Sequence, residues 1–302
     1  MPNIPRYKPE DFSAVLKADS EHWKDQSLKD FLILKFPNKR FDLLIPLLSH
    51  RKTVNDLVFV TGGHGEQTIY QDRYNLNAGS FRILAPEKIR TIDTLSSDFA
   101  GYYCHFSDDF ISRNSDTKVL HEILNHLEAN NNYKIDTESP KTQILTDLLE
   151  RITALNSVNG EKKNVKLIGS YLTCFLEETK EIIKAAPQAK LNADQTLVLR
   201  FKKEVIQHIC EFQTIAEYAG LLHITPNHLN KCVKKITGDT ASEFINKSLI
   251  TEAKALLAIQ EMNISDVAYH IGMDDPSYFA RFFKKHTNIS PTKYRKMIAL
   301  SL

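Results

Sequence analysis

Asp275-Pro276-Ser277-Tyr278-Phe279-Ala280-Arg281-Phe282-Phe283-Lys284-Lys285-His286-Thr287-Asn288 repeats, in outline, a segment about 50 residues earlier in the chain. Pro226-Asn227-His228-Leu229-Asn230-Lys231-Cys232-Val233-Lys234-Lys235-Ile236-Thr237-Gly238 lies over Pro276 to Asn288 so that Leu229 meets Phe279, Lys231 meets Arg281 and Lys-Lys-x-Thr recurs in place. The match runs forward to Phe244 against Tyr294, and back to Ala219 against Ala268 with one residue of slippage in the turn. A repeat of this period implies two copies of one supersecondary unit.

Each copy reads as a helix-turn-helix. In the second, Ile264 to Ile271 makes a short helix with Ile264, Val267, Ala268 and Ile271 on one face. Gly272 then permits a left-handed turn, and Asp275-Pro276 supplies an N-cap followed by proline at the first helical position. Small Ala268 lets the two helices cross closely. Along the next helix Phe279, Phe282 and Phe283 share one face, leaving Ser277, Arg281, Lys284 and Lys285 nearer the other. In the first copy Thr225-Pro226 takes the capping role, Leu229, Val233 and Ile236 are expected inward, and Asn227, Asn230, Lys231 and Lys234 outward.

Such outward faces suit a DNA major groove. Base edges there are read by Asn and by Arg or Lys in bidentate fashion, while lysines further along the helix and backbone amides at its start hold phosphates. Base reading is therefore expected in the first turns of each second helix. Between the units, Ser242 to Ile259 is one long helical pattern with Phe244, Ile245, Leu249, Ala253, Leu256 and Leu257 toward a core. A rigid spacer of this kind sets the units on successive major-groove turns, ~34 Å apart on one DNA face.

Residues 195–299, above all Asp275 to Lys285 followed by Ser290-Pro291-x-x-Tyr294-Arg295, resemble the AraC/XylS-type transcription regulators. The resemblance implies base-contacting positions at Asn227, Asn230 and Lys231 in the first recognition helix and at Ser277, Tyr278 and Arg281 in the second. His228, Lys234, Lys235, Lys284 and Lys285 complete the expected DNA-binding set, while Pro291 and Tyr294 shape the final helix. Asn288 stands where the family usually has glycine, Ala241 replaces a common Ser or Pro, and Val233 replaces a frequent aromatic. Asparagine tolerates the left-handed conformation, so Asn288 should cost little.

Upstream the pattern is different. From Phe31 to Phe106 short β-rich runs alternate with turn residues: Phe31–Phe36, Leu43–Leu48, Leu57–Thr61, Gln67–Tyr70, Phe81–Ala85 and Tyr102–Phe106. Gly62-Gly63-His64-Gly65 and Asn77-Ala78-Gly79 read as hairpin turns. Helical stripes follow: Val119, Leu120, Ile123, Leu124 and Leu127; then Ile144, Leu145, Leu148, Leu149, Ile152 and Leu155; then Val165, Leu167, Ile168, Leu172, Phe175 and Leu176. Asn130 to Asn132 and Asn156 to Asn164 read as polar loops, and Ala185 to Lys190 breaks the last helix and marks the domain boundary.

The expected fold is α+β: a cupin-like β-barrel with accessory helices over residues 1–188 (strands about 31–106, helices about 115–184), then an all-α DNA-binding domain over 189–302 with two helix-turn-helix units joined by a long helix. The barrel is implied by the resemblance, as are a small-molecule effector bound within it and RNA polymerase as a partner; helices 141–184 either pair two subunits into a homodimer or only cover the sheet, and activation and repression both stay open.

Composition agrees with a two-domain globular protein: 302 residues, 42% hydrophobic and 25% charged. Net charge is only +2, but residues 1–189 carry −2 and residues 190–302 carry +4, so the basic excess sits with the repeat. No apolar run approaches the ~20 residues of a membrane span, and Met1 to Arg6 has no signal-like stretch behind it, which places the protein in the cytoplasm away from membranes. Cys104, Cys174, Cys210 and Cys232 are far apart and read as buried reduced thiols.

The competing function is a cupin-type metalloenzyme with a DNA-binding tail. Metal-binding cupins bring two histidines one residue apart and a nearby carboxylate; His50-Arg51-Lys52 lacks the second histidine. His50, His64 and His105 could still converge in three dimensions, yet a lone histidine in a turn or strand is more often a surface or satisfied core group, and no metal, cofactor or catalytic residue is expected. An Ada-like repair protein uses a similar tandem unit but needs clustered cysteines near the start, whereas the first here is Cys104. A non-specific nucleoid protein would bind any duplex alike.

Overall fold

A computed structural model of the chain describes residues 6–7, 30–37, 47–113, 116–130, 132–138, 140–157, 164–185, 191–259 and 262–299. The chain divides into two compact units, residues 6–187 and 188–302. It is a mixed α and β protein, with the sheets in the first unit and helices throughout the second.

The first unit holds strands β1 (Arg6–Tyr7), β2 (Phe31–Phe36), β3 (Leu47–Lys52), β4 (Asn55–Gly62), β5 (His64–Ile69), β6 (Asp72–Asn77), β7 (Ser80–Leu84), β8 (Arg90–Ile92), β9 (Thr94–Leu95) and β10 (Ala100–Phe106). Helices α1 (Asp108–Ser112) and α2 (Lys118–Ala129), strand β11 (Lys134–Asp136) and helices α3 (Lys141–Asn156) and α4 (Val165–Ala185) follow. One sheet runs β11-β7-β4-β10-β2; the other runs β1-β3-β8-β5-β6 with β9 on β5. Among the described residues no ladder joins the two sheets into a closed barrel.

Alternation explains the layers. Phe31 and Ile33 of β2, Leu57 and Phe59 of β4, and Tyr102, Cys104 and Phe106 of β10 point to one face and pack with the helices. Leu32, Leu34, Phe36, Val58, Val60 and Tyr103 point to the other and meet Leu76 and Ile92 of the second sheet. A sheet covered on both faces needs near-continuous apolar strands, which is why β2 reads Phe-Leu-Ile-Leu-Lys-Phe. Leu145, Leu149, Ile152, Ile168, Leu172, Phe175 and Leu176 are all in the sheet-facing core. The stripes of α3 and α4 therefore cover the sheet, and Ile144, counted in that stripe, is 40% exposed.

Both expected hairpins are corrected. β4 pairs with β7 and β10, while β5 pairs with β6, β8 and β9, so the Gly62-Gly63 turn passes from one sheet to the other. Asn77-Ala78-Gly79 likewise carries the chain from β6 into β7 of the opposite sheet. The glycines are needed all the same: Gly63 and Gly79 have φ of 67° and 81°. Neighbouring strands in sequence pair only when no other strand is inserted between them, and no local signal reveals that insertion. The strand expected at 43–48 is described from Leu47 onward, and β6, β8, β9 and β11 went unanticipated. Of the loops expected at 130–132, 156–164 and 185–190, residues 131, 158–163 and 186–190 lie outside the described residues, while Asn156 and Ala185 close α3 and α4. Cys104 and Cys232 are buried as expected, but Cys174 is exposed on α4 and Cys210 half-buried.

Polar groups lie deep in this unit. His105 is buried, contacts Tyr103 Oη and lies 3.2 Å from Lys52 Nζ. Burial, with Lys52 adding to it and Asp56 opposing it, holds the imidazole well below its ordinary value. The unfolded chain thus takes up a proton below about pH 6.5 that the folded chain does not, so this contribution to stability is full above that pH and falls below it, by up to about 1.4 kcal/mol per pH unit. Lys52, pushed down chiefly by burial, gives a slope of the same sign over a wider range. Urea unfolding between pH 7.5 and 5.5 should steepen below 6.5, and His105→Gln should remove the steepening.

The second unit holds α5 (Ala193–His208), α6 (Ile215–Leu221), α7 (Pro226–Thr237), α8 (Ala241–Leu257), α9 (Ile264–His270), α10 (Pro276–Thr287) and α11 (Pro291–Ala299). α6 and α7 form one helix-turn-helix, α9 and α10 the other, and α8 joins them. Ala219, Leu229, Val233, Phe244, Leu256, Ala268, Phe279 and Phe283 share one core. The caps repeat as the sequence does: Thr214 with Glu217 and Asn263 with Asp266 are capping boxes, and Gly238 and Asn288 close α7 and α10 with φ of 83° and 64°.

Candidate nucleic-acid interface

The two second helices are set by the same local chemistry. Thr225 accepts from His228 N–H at the start of α7, Asp275 accepts from Ser277 N–H at the start of α10, and each helix has proline in its first turn. In the turn before them, His223 N–H donates to Gly220 O and Ile224 N–H to Ala219 O; Gly272 to Tyr269 and Met273 to Ala268 repeat these bonds. Ala219 and Ala268 thus coincide, and the one-residue slippage is the extra Asp274 before the second cap. His223 and Gly272 both take the left-handed conformation, with φ of 56° and 77°.

From Asn227 to Ala241 and from Ser277 to Pro291, buried, half-buried and exposed positions follow one another identically. Leu229, Cys232 and Val233 are buried in α7, as are Phe279, Phe282 and Phe283 in α10. Ile236, expected inward, is 39% exposed; Cys232 fills that role, because positions one turn on from Leu229 reach the core earlier than the last turn does. Tyr294 packs on Phe283 at 5.6 Å, and Arg295 Nε donates to Leu257 O, which ties α11 to the end of α8.

Of the expected DNA-binding residues, Asn227, His228, Lys231, Lys234 and Lys235 are exposed on α7, and Ser277, Tyr278, Arg281, Lys284 and Lys285 on α10. Asn230 is half-buried, and its Oδ1 accepts from Ala241 N–H at 2.9 Å, so this amide holds the start of α8. Lys235 lies 2.7 Å from Asp194, whose carboxyl it lowers, and Arg281 lies 3.7 Å from Asp275. Tyr278 is 51% exposed with its ring stacked on Phe282. Neither helix carries an acidic residue within its own span, so both outward faces are cationic, with an amide at Asn227 of α7 and hydroxyls at Ser277 and Tyr278 of α10. These are the donors that base edges and phosphates accept.

Two sites were not read from the sequence. Between the sheets of the first unit lies a pocket whose lining includes Phe36, Val58, Leu76, Phe99, Gln67 and Arg82. Its sequence signal is an arginine between Phe81 and Ile83, a charge at an inward position of an apolar strand. In the second unit Cys210, Glu252 and His270 place their ligand-capable atoms within 4.8 Å of one another. His50, His64 and His105 form no such group among the described residues; His64 is exposed while the other two are buried.

Comparison with known proteins agrees with this geometry. A helix-turn-helix domain family matches residues 218–297. The HTH-type transcriptional regulator YisR of Bacillus subtilis (strain 168) is 25% identical over 254 residues, 82% of this chain and 87% of that one. The lactose operon transcription activator of Staphylococcus xylosus is 25% identical over 272 residues, 85% of this chain and 90% of that one. The probable transcription factor PqrA of Proteus vulgaris is 36% identical over 86 residues, 28% of this chain and 68% of that one. With its duplicated helix-turn-helix and the signature from Asp275 to Arg295, the chain belongs to the AraC/XylS-type transcription regulators.

Proposed function

We propose that α7 and α10 enter successive major grooves of promoter DNA, that residues 189–302 form the DNA-binding domain, and that residues 1–188 form a cupin-like domain that binds a small effector and pairs two subunits. The observation that carries the DNA reading is the identical burial pattern of the two recognition helices, which leaves outward two matching faces with no acidic residue of their own. Asn227, His228 and Lys231 then read bases in the first half-site and Ser277, Tyr278 and Arg281 in the second. Lys234, Lys284 and Lys285 hold phosphates, and Lys235 does so once released from Asp194. The protein acts in the cytoplasm as a regulator without catalysis, and RNA polymerase is the partner through which activation would run. Among the described residues no helix is long and apolar enough to cross a membrane. Pairing of subunits falls to the outward faces of α3 and α4, since their inward faces are filled, and sedimentation should give twice the chain mass of 34.6 kDa.

Affinity measured on a cognate promoter and on random duplex across salt concentrations tests the reading. A specific regulator prefers its site by ~10³-fold or more at physiological salt, and equal affinity for both would overturn it. Lys285→Ala should weaken binding to both duplexes alike and flatten the slope of log affinity against log salt by about 1, the mark of one lost phosphate contact.

A further inference from the structure

We propose that the pocket between the two sheets binds a small organic carboxylate with an apolar body, its carboxylate accepting from Arg82. The inference rests on the effector reading above and names the ligand's class and its anchor.

Arg82 leaves β7 toward the space between the sheets and is 1% exposed. Its Nη2 lies 3.6 Å from Asp56, while Nε and Nη1 have no hydrogen-bond partner among the described residues. A guanidinium keeps its charge in proteins, so unmet buried donors on it are costly and uncommon. The same Asp56 carboxylate already lies 2.6 Å from Arg90 and 3.2 Å from Lys52, all with side chains 1% exposed. Among the described residues this one buried carboxylate contacts three cationic side chains. Burial relieves part of the excess by lowering Lys52, and it pushes Arg82 down to about 10, yet at neutral pH Arg82 remains a cation whose counter-charge is shared.

Among the described residues no carboxylate but Asp56 contacts Arg82; Glu66 also lines the pocket, but on β5 it alternates with the inward Gly65 and Gln67. Gln67 is 2% exposed with Oε1 unpartnered, a second polar point beside Arg82. Apart from Glu66, Tyr102 and Tyr103, the remaining wall is apolar, with Phe36, Val58, Leu76, Ile92, Leu95 and Phe99. An apolar wall with one unmatched buried cation at its base selects an amphiphilic anion: the head group completes the charge and the body displaces water from the wall. An inorganic anion would use only half of this surface, and a neutral amide would leave the cation unmatched.

The test uses the full chain and three probes, hexanoate, hexanamide and inorganic phosphate, followed by calorimetric titration and thermal shift. Hexanoate is expected to bind at least about ten-fold more tightly than hexanamide, as one charge-assisted hydrogen bond allows, and phosphate to bind weakly. Arg82→Gln should erase the difference between acid and amide. Leu95→Trp, which fills the half-buried wall away from the charged cluster, should remove hexanoate binding while the protein melts like wild type. Equal affinity for acid and amide, hexanoate binding that survives both substitutions, absence of hexanoate binding, or phosphate binding as tight as hexanoate would each overturn the proposal. DNA affinity measured with and without saturating hexanoate reads the effector role separately: an unchanged value beside Arg82-dependent binding would remove that role and leave the carboxylate site standing.

Discussion

Gly272→Val is expected to destabilise the second helix-turn-helix by more than about 4 kcal/mol and to abolish specific DNA binding. The residue sits at φ 77°, which a β-branched side chain does not adopt without strain. A Cβ there would lie 2.6 Å from Gln213 Nε2 and 2.8 Å from Cys210 O. Neither neighbour retreats cheaply: Cys210 O is backbone, and Gln213 Nε2 donates to Ile271 O and Gly272 O at 3.0 and 2.6 Å. The equivalent turn of the first copy accommodates His223, so His223→Gly should be tolerated where Gly272→Val is not. Thermal melts and gel retardation of the two variants check the pair, and a Gly272→Val protein that melts with wild type and binds its promoter would refute the account of this turn.

Arg281→Ala carries the next largest effect, a loss of about 1 to 3 kcal/mol in specific binding with relaxed preference at one base position. The Arg281 side chain is 71% exposed, and its acidic partner is Asp275 at 3.7 Å, so little in the free protein holds it back from a base. Lys231→Ala removes the counterpart in the first copy. The two share no partner among the described residues, so their losses should add to about 2 to 6 kcal/mol in the double variant. Equal losses on specific and random DNA would make Arg281 a phosphate contact instead.

The second unit was readable from sequence because its signals are local and occur twice. Thr225-Pro226 and Asp275-Pro276 declare helix starts, Gly272 a left-handed corner, and Gly238 and Asn288 helix ends, and all of them take those roles. Exposure of the recognition faces follows from the same period. The exceptions depend on contacts far along the chain: Asn230 has the composition of a base-reading residue, but its hydrogen bond to Ala241 is made eleven residues away, across the turn into α8.

The first unit was readable only in part. β2, β4, β7 and β10 announce themselves as apolar runs, because a sheet buried on both faces leaves few polar interruptions. β6, with Leu76 as its buried position, has little apolar signal of its own, and its pairing with β5 had to come from the fold. Asp56 and Lys52 look like surface charges in sequence, and only Arg82, set between Phe81 and Ile83, hints at burial. Burial turns them into a cluster, and burial is set by strands far apart in the chain.

Methylation interference along a bound promoter tests the central claim most directly, since it reports contact at guanine N7 in the major groove. Two interference patches on one face of the duplex, centred about 10 base pairs apart, are the predicted result, with Arg281→Ala silencing a position in one patch and Lys231→Ala a position in the other. A single patch, or protein bound with no major-groove interference at all, would contradict it.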